Sequence, residues 1–107
     1  MEEAISDPTG FQAMLTDDCW EHIASRHPEM RPFKQFVVEA IRKPDGIYLG
    51  KRDSSRRIYR KRHLQVREVG DALDLLVFVG AADGYVATAY FAAYSLRMLG
   101  ALIWPSS

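Results

Sequence analysis

The spacing of apolar residues predicts two helices in the first half of the chain. Residues 16–18 (TDD) have side chains that cap a helix N-terminus and place negative charge there, so a helix is expected to begin at this point. It is predicted to run to about His27, because Pro28 ends it. A second helix is predicted from Pro32, since apolar residues then recur at positions i, i+3, i+4, i+7 and i+8. These residues are Phe33, Phe36, Val37, Ala40 and Ile41.

An extended pattern replaces the helical one after Gly46. Four strands are predicted, over residues 47–49, 57–69, 73–79 and 84–91, joined by polar and glycine-containing turns. The order predicts one α+β domain over residues 1–107, with two N-terminal helices packed on one face of a four-stranded, mostly antiparallel sheet. Residues 1–14 are predicted to be a loose N-terminal extension. The tail, residues 92–104, suits a closing helix, an extra strand or a subunit interface, and these alternatives stay open.

Positive charge is concentrated in one segment, although the whole chain has a net charge of zero. Residues 51–67 carry eight basic side chains against Asp53 alone, which gives a local net charge of +7. Such a segment attracts a polyphosphate. A solvated edge strand that is protected by charge against sheet-to-sheet aggregation has the same composition, and charge alone does not choose between the two interpretations.

Composition excludes several classes of protein. Apolar residues make up 48% and charged residues 26% of the chain, which is typical of a globular domain and not of a disordered one. Cys19 is the single cysteine, so no disulfide framework is expected and a reducing, cytoplasmic location is predicted. No secretory signal is expected in MEEAISDPTG. The apolar run over residues 85–104 is long enough to span a bilayer, but polar residues interrupt it and a turn precedes it, so no membrane association is predicted.

The alternation of side chains along the predicted strands separates two faces of the sheet. In GYVATAYF, alternation places Ala87 and Ala89 on the face where helices pack closely, so Thr88 and Tyr90 are expected on the opposite, open face. On the cationic strand, one face has Arg57, Tyr59, Lys61 and His63, and the other has Ile58, Arg60, Arg62 and Leu64. Cations that neutralise phosphates and rings that stack on unpaired bases are what an RNA-binding surface needs.

The order of several short motifs resembles a known superfamily. WEHIASRHPE, then AIRKPDGIY, RRIYRKR, LLVFVG and GYVATAY resemble the small nuclease domains grouped with barnase, EndoU, colicin tRNases and RelE, particularly their stand-alone phage and prokaryotic branch. The resemblance implies two helices on a four-stranded antiparallel sheet and a metal-independent ribonuclease site on its open side. By position, His22 and His27 match the helix histidines, Arg57 and Tyr59 lie on the basic strand, and Thr88 and Tyr90 match the polar pair of the last strand.

Metal-free RNA cleavage defines the roles that these residues would take. Imidazole suits proton transfer near neutral pH, because its ordinary pKa of about 6.5 leaves both of its forms populated. Arg57 or Lys61 would stabilise the phosphorane, while Thr88 and Tyr90 would hydrogen-bond phosphate oxygens. Other residues are predicted to contact the RNA without taking part in the chemistry. Tyr59 or Tyr90 would stack on a base, and Arg60, Lys61 and Arg62 would bind the phosphates of the RNA backbone. His22 and His27 lie about 140° apart around an ideal helix, so they cannot both point at one atom.

Two other functions remain open from the sequence. The chain suits a non-catalytic nucleic-acid-binding module that uses the same basic strand. It also suits a toxin-like or phage inhibitor whose tail, from Tyr94 to Trp104, binds a protein partner or a second copy of the chain. No cofactor is predicted, and no metal site either, because three histidines and one cysteine lack compact ligand spacing. A ribonuclease site predicts a shallow pocket that combines a helix histidine, a cation from residues 57–62, and Thr88 or Tyr90.

Overall fold

The computed structural model describes residues 3–93 and 96–105. Two short strands come first, β1 (Glu3–Ser6) and β2 (Gln12–Leu15), followed by helix α1 (Asp17–Arg26), a 3-10 helix (Pro28–Phe33) and helix α2 (Lys34–Arg42). Four strands then follow, β3 (Gly46–Gly50), β4 (Arg56–Val66), β5 (Gly70–Gly80) and β6 (Val86–Ala92). A one-turn 3-10 helix (Leu96–Met98) leads into the last strand, β7 (Leu99–Trp104).

Local side-chain chemistry sets the limits of helix α1. The Thr16 hydroxyl accepts a hydrogen bond from the backbone N–H of Cys19 at 3.0 Å, so it satisfies one of the free donors of the first turn. The last helical residue is Arg26, and His27 leaves the helical conformation before Pro28. The apolar face of α2 is buried through Val37, Ala40 and Ile41, as the spacing predicts, and Val38 is buried as well. Phe33 and Phe36, which belong to the same predicted face, are only partly buried.

The main sheet has five strands in the order β6-β5-β4-β3-β7, and every neighbouring pair is antiparallel. A second sheet contains β1 and β2 alone. The chain is therefore α+β, but the predicted arrangement of two leading helices and one four-stranded sheet is wrong. Two strands precede the helices, and the tail contributes β7, which pairs with β3 and not with β6, its predecessor in the chain.

The predicted loose N-terminal extension is also wrong over its described part, because residues 3–15 form a hairpin. Its inward side chains Ile5, Ala13 and Leu15 are fully buried. The Asp7 carboxylate accepts hydrogen bonds from the backbone N–H groups of Thr9 and Phe11, which closes the turn between the strands. Burying a large apolar side chain such as Ile5 or Leu15 stabilises the fold by about 1.5–3 kcal/mol, and this burial holds the hairpin against the rest of the protein.

Two apolar clusters lie on opposite sides of the main sheet. The larger one joins the helices, the hairpin and the sheet, with Ile23, Val37 and Leu75 among its buried members. We call this side the helix face. The smaller cluster contains only residues from strands and the turn before β7, and we call its side the open face. Its members are Tyr48, Ile58, Leu76, Phe78, Tyr90, Ala92, Met98 and Leu99.

A bulge alters the predicted faces of β6. Phe78 pairs with Thr88 and Val79 with Val86, which leaves Ala87 without a partner in the ladder. Val86 consequently packs in the cluster on the helix face and not beside Thr88. Beyond the bulge the alternation holds, with Ala89 on the helix face and Tyr90 on the open face.

Within the described ranges, no helix has the length and apolar character needed to cross a membrane.

Candidate nucleic-acid interface

His27 lies at the edge of the open face, in contact with Tyr90. Helix α1 packs along β6, an edge strand of the main sheet, and His27 follows the last residue of that helix. The ring centroids of His27 and Tyr90 are 5.1 Å apart. The His27 side chain is 32% exposed, and its Nδ1 atom lies 3.4 Å from Oε1 of Glu29. Because about a third of its surface is exposed at the edge of the sheet, this imidazole is accessible to a ligand.

Tyr90 connects His27 to the interior of the open face. Its ring stacks on Phe78 with centroids 5.4 Å apart, and its hydroxyl donates to the Sδ atom of Met98 at 3.1 Å. Burial raises the pKa of Tyr90, although the positive charge of Arg56 opposes that rise. The hydroxyl therefore keeps its proton at neutral pH. Because a thioether sulfur is a weak acceptor, that hydroxyl is available to a stronger one such as a phosphate oxygen.

A cavity of about 460 Å³ adjoins the ring of Phe78. Its apolar floor is made by Ile58, Phe78 and Met98. Four basic side chains, Lys51, Arg52, Arg56 and Arg97, surround the floor together with Gly50 and Asp53. The Asp53 carboxylate is already engaged, since it accepts from the backbone N–H of Ser55 at 3.0 Å and lies 3.7 Å from Arg56. We call this cavity the cationic pocket, because basic groups outnumber acidic ones in its wall.

A second basic group of the open face is held by Asp74. The Asp74 side chain is 2% exposed, and its two oxygens accept from Nε of Arg60 at 3.0 Å and from Nε of Arg62 at 2.9 Å. Two guanidinium groups around one carboxylate leave a surplus of positive charge in fixed positions. Arg60 and Arg62 thus lie on the open face with Thr88 and Tyr90. Arg57 lies on the opposite face of β4, as the alternation of side chains predicts.

Arg57 and Tyr59 lie on the helix face, away from Tyr90. The Tyr59 side chain is fully buried, and its hydroxyl donates to Asp7 Oδ2 at 2.5 Å. Arg57 donates through Nη2 to the same oxygen at 3.0 Å and covers the ring of Phe11. Burial and the Asp7 carboxylate raise the pKa of Tyr59, so this hydroxyl remains a donor. The predicted stacking of a base on Tyr59 is wrong, because the ring is enclosed, and Arg57 cannot reach a phosphate held at Tyr90.

The other two predicted residues also lie apart from the His27–Tyr90 contact. Lys61 shares the face of Tyr59, and its Nζ atom donates to the backbone carbonyl of Lys43 at 2.6 Å. His22 is exposed on helix α1. Of the predicted catalytic residues, the open face therefore brings together His27, Thr88 and Tyr90, and leaves out His22 and Arg57.

Sequence reasoning missed the cationic pocket. Arg56 has the same alternation parity as Ile58 and so belongs to the open face, but Arg52 and Arg97 are contributed by two turns that are far apart in sequence. One local signal for the pocket was present, since Arg97 is the single charge in an otherwise uncharged run from residue 85 to residue 104. Within the part of the chain that the structure describes, no group of three or more His, Cys, Asp or Glu side chains is arranged to hold a metal ion.

Comparison with known proteins gives no further assignment. No protein-family model matches the chain, and neither a curated protein nor a solved structure matches it.

Proposed function

We propose that the protein is a metal-independent endoribonuclease-type domain that binds single-stranded RNA on the open face of its sheet. The observation that carries the proposal is the contact of the His27 imidazole with Tyr90, at the edge of a face that also holds the cationic pocket. Proton transfer, phosphate neutralisation and ring contacts are thereby available on one surface. We expect the protein to act in the cytoplasm.

Single-stranded RNA fits this surface better than a duplex. Stacking requires unpaired bases, and the rings of Tyr48, Phe78 and Tyr90 belong to the open-face cluster. The fixed guanidinium groups of Arg60 and Arg62 neutralise backbone phosphates without reading base identity. A strand of RNA that crosses the face from Arg62 to Arg56 follows β4, on which these arginines alternate.

The chemistry assigns one role to each group beside His27. Neutral His27 removes the proton from a 2′-hydroxyl, the 2′-oxygen attacks the adjacent phosphorus, and the bond from phosphorus to the 5′-oxygen breaks. The leaving 5′-oxygen takes a proton from the Tyr90 hydroxyl, which then regains a proton from the His27 imidazolium. Arg56, whose charge acts on Tyr90, stabilises both the phosphorane and the transient phenolate. Thr88 donates a hydrogen bond to a phosphate oxygen.

One observation favours a second candidate, RNA binding without cleavage. Of the described histidines, only His27 makes a ring contact with a residue of the open face. His63 stacks on Phe36 and meets Phe91 edge to face, and both rings lie on the helix face. Imidazole-based catalysis often uses one group as base and another as acid. A surface with one histidine meets the requirements for binding more fully than those for catalysis.

A protein-binding role for the tail is the third candidate. Tyr94 and Ser95, which begin the predicted docking segment, lie outside the described residues. The rest of that segment includes β7, an edge strand whose Leu102 side chain is half-exposed. An edge strand presents unpaired backbone groups to a partner chain, so β7 is where a protein partner or second copy would pair.

Cleavage of defined oligonucleotides in the presence of a chelator tests the proposal. The His27→Ala variant is expected to lose RNA cleavage by roughly a hundredfold or more while retaining RNA affinity, since positioned acid–base groups contribute about that much. His22→Ala is the matched control, because His22 is exposed on the same helix, and it should cleave like wild type. An oligonucleotide with one 2′-deoxy position should resist cleavage at that position.

The outcomes separate the candidates. Equal cleavage by the His27→Ala and His22→Ala proteins contradicts the assignment of His27. Binding without any cleavage by the wild-type protein supports the binding module instead. Absence of both binding and cleavage leaves the protein-binding role of the tail as the remaining candidate.

A further inference from the structure

The cationic pocket has the size and the chemistry of a site for one nucleotide. We propose that it binds a single nucleotide of the RNA strand, with the base on the apolar floor and the phosphate among the guanidinium groups of the rim. The inference rests on the proposed RNA ligand, but nucleotide binding is measurable whether or not the RNA is cleaved.

The dimensions of the pocket argue for a ligand larger than an inorganic anion. Its volume of about 460 Å³ falls in the range of roughly 300–1,000 Å³ that is typical of small-molecule sites. A free phosphate would contact the rim and leave the apolar floor of Ile58, Phe78 and Met98 exposed to water. A base covers that floor and adds apolar burial to the ionic contacts. A nucleoside without phosphate would leave the excess positive charge of the rim, which holds four basic side chains and one carboxylate, unbalanced.

The rim is tied to the sheet by backbone contacts. The N–H of Lys51 donates to the carbonyl of Met98 at 3.1 Å, which joins the loop after β3 to the turn before β7. The N–H of Ala81 donates to the carbonyl of Ser55 at 2.7 Å and anchors the other end of the same loop. Gly100 permits the close approach of β7, because an added Cβ would lie 2.9 Å from the Leu49 carbonyl oxygen. The two turns are therefore held in place before a ligand arrives, which lowers the entropy cost of binding.

The pocket is linked to His27 through two aromatic contacts. Phe78 forms part of the pocket floor and stacks on Tyr90, and Tyr90 contacts the His27 ring. A nucleotide in the pocket consequently lies next to the phosphodiester whose cleavage His27 would promote as the general base. The fit of the base to the floor then decides which nucleotide adjoins the cleavage position.

Calorimetric titration with nucleoside monophosphates tests the inference. Wild-type protein is titrated separately with AMP, CMP, GMP and UMP, with the four nucleosides, and with inorganic phosphate. At least one monophosphate is expected to bind tenfold or more tightly than both its own nucleoside and inorganic phosphate, because the site uses both parts of the ligand.

Two double variants locate the binding. Arg52→Ala with Arg97→Ala removes two exposed rim cations and should weaken monophosphate binding about tenfold or more. Arg31→Ala with Arg42→Ala removes two exposed cations outside the pocket and should leave affinity unchanged. The inference is overturned if no monophosphate binds better than phosphate, or if the two double variants behave alike.

Failure of the ribonuclease proposal and failure of the nucleotide-pocket proposal give different experimental results. If His27→Ala protein binds the monophosphate like wild type while wild-type protein does not cleave RNA, the pocket assignment stands and the ribonuclease proposal falls. If RNA is cleaved through His27 but no monophosphate binds in the pocket, only the pocket assignment falls.

Discussion

The buried ion pair of Asp7 and Arg57 makes a specific prediction about stability. The Asp7 side chain is fully buried, and that of Arg57 is 13% exposed. Besides Arg57, the carboxylate accepts from Tyr59 and from the backbone and hydroxyl of Thr9. Replacing Asp7 by Ala leaves the guanidinium of Arg57 largely buried without its counter-charge. Loss of one partner of a buried pair costs about 3–5 kcal/mol in the free energy of unfolding.

That cost is large for a domain of this size. The total free energy of unfolding of such a domain is about 5–15 kcal/mol. Tyr59→Phe removes the hydrogen bond that the hydroxyl donates to Asp7 and the longer one that it accepts from Nε of Arg57, but it leaves the ion pair in place. Its expected cost is therefore smaller, about 1.5–3 kcal/mol. Glu39→Ala is the control, because its ion pair with Arg42 is exposed and should contribute less than about 1 kcal/mol.

Urea unfolding at pH 7 measures these differences as shifts of the transition midpoint at constant slope. The expected order of destabilisation is Asp7→Ala, then Tyr59→Phe, then Glu39→Ala. If Asp7→Ala costs no more than Glu39→Ala, the hairpin is not held by this ion pair and the reasoning is refuted.

Acid unfolding provides an independent check on the same carboxylate. Burial alone would raise the pKa of Asp7, but hydrogen bonds from Thr9, Tyr59 and Arg57 outweigh it and hold the pKa below its ordinary value. A carboxyl whose pKa is lower in the folded state contributes its stabilisation above the pKa of the unfolded chain. That contribution is lost as the pH falls through the folded-state pKa. The difference in stability between wild type and Asp7→Asn should therefore shrink below about pH 4.

Two further predictions concern His63 and the basic side chains. Burial, with a smaller effect of Lys61, lowers the pKa of His63, so the folded state binds its proton less tightly than the unfolded chain does. Stability should therefore decline as the pH falls below about 6.5, and His63→Phe should reduce that decline in urea unfolding; an unchanged pH profile would contradict it. RNA binding should weaken with salt at a log–log slope of about −0.7 per phosphate contacted. Lys51→Ala with Arg56→Ala should reduce this slope, whereas Lys61→Ala should not, and a flat salt dependence measured by fluorescence anisotropy would exclude phosphate binding.

Local chemistry explains why the helices were predictable. Thr16 as the cap and Pro28 as the stop act within a few residues, and the structure has both. The hairpin was missed although Asp7, Pro8 and Gly10 carry a turn signal between the segments EAIS and QAML. Strands of four residues have too few positions to establish a period, and this hairpin is stabilised by Arg57, fifty positions further along the chain.

The faces of β4 show where alternation stops being sufficient. It groups Arg57 with Tyr59 and Arg60 with Arg62, and both groupings hold in the structure. It cannot say which group faces solvent, because both faces carry cations. The orientation of each arginine depends on a buried carboxylate. Asp7 of the hairpin pairs with Arg57 on the helix face, and Asp74 pairs with Arg60 and Arg62 on the open face. The placement of a helix histidine next to Tyr90 was therefore predictable from the sequence, but the placement of the basic side chains was not.

Methyl NMR of a titration with single-stranded RNA tests the central claim most directly, namely that RNA contacts the open face. Met98 and Ile58 lie on the open face, and Met30 and Ile23 are buried on the helix face, so these methyl groups form matched probes. In chelator, at a salt concentration that permits binding, RNA is expected to shift the Met98 and Ile58 signals and leave those of Met30 and Ile23 nearly unchanged. Shifts confined to Met30 and Ile23 would contradict the account, because they would place the RNA on the helix face.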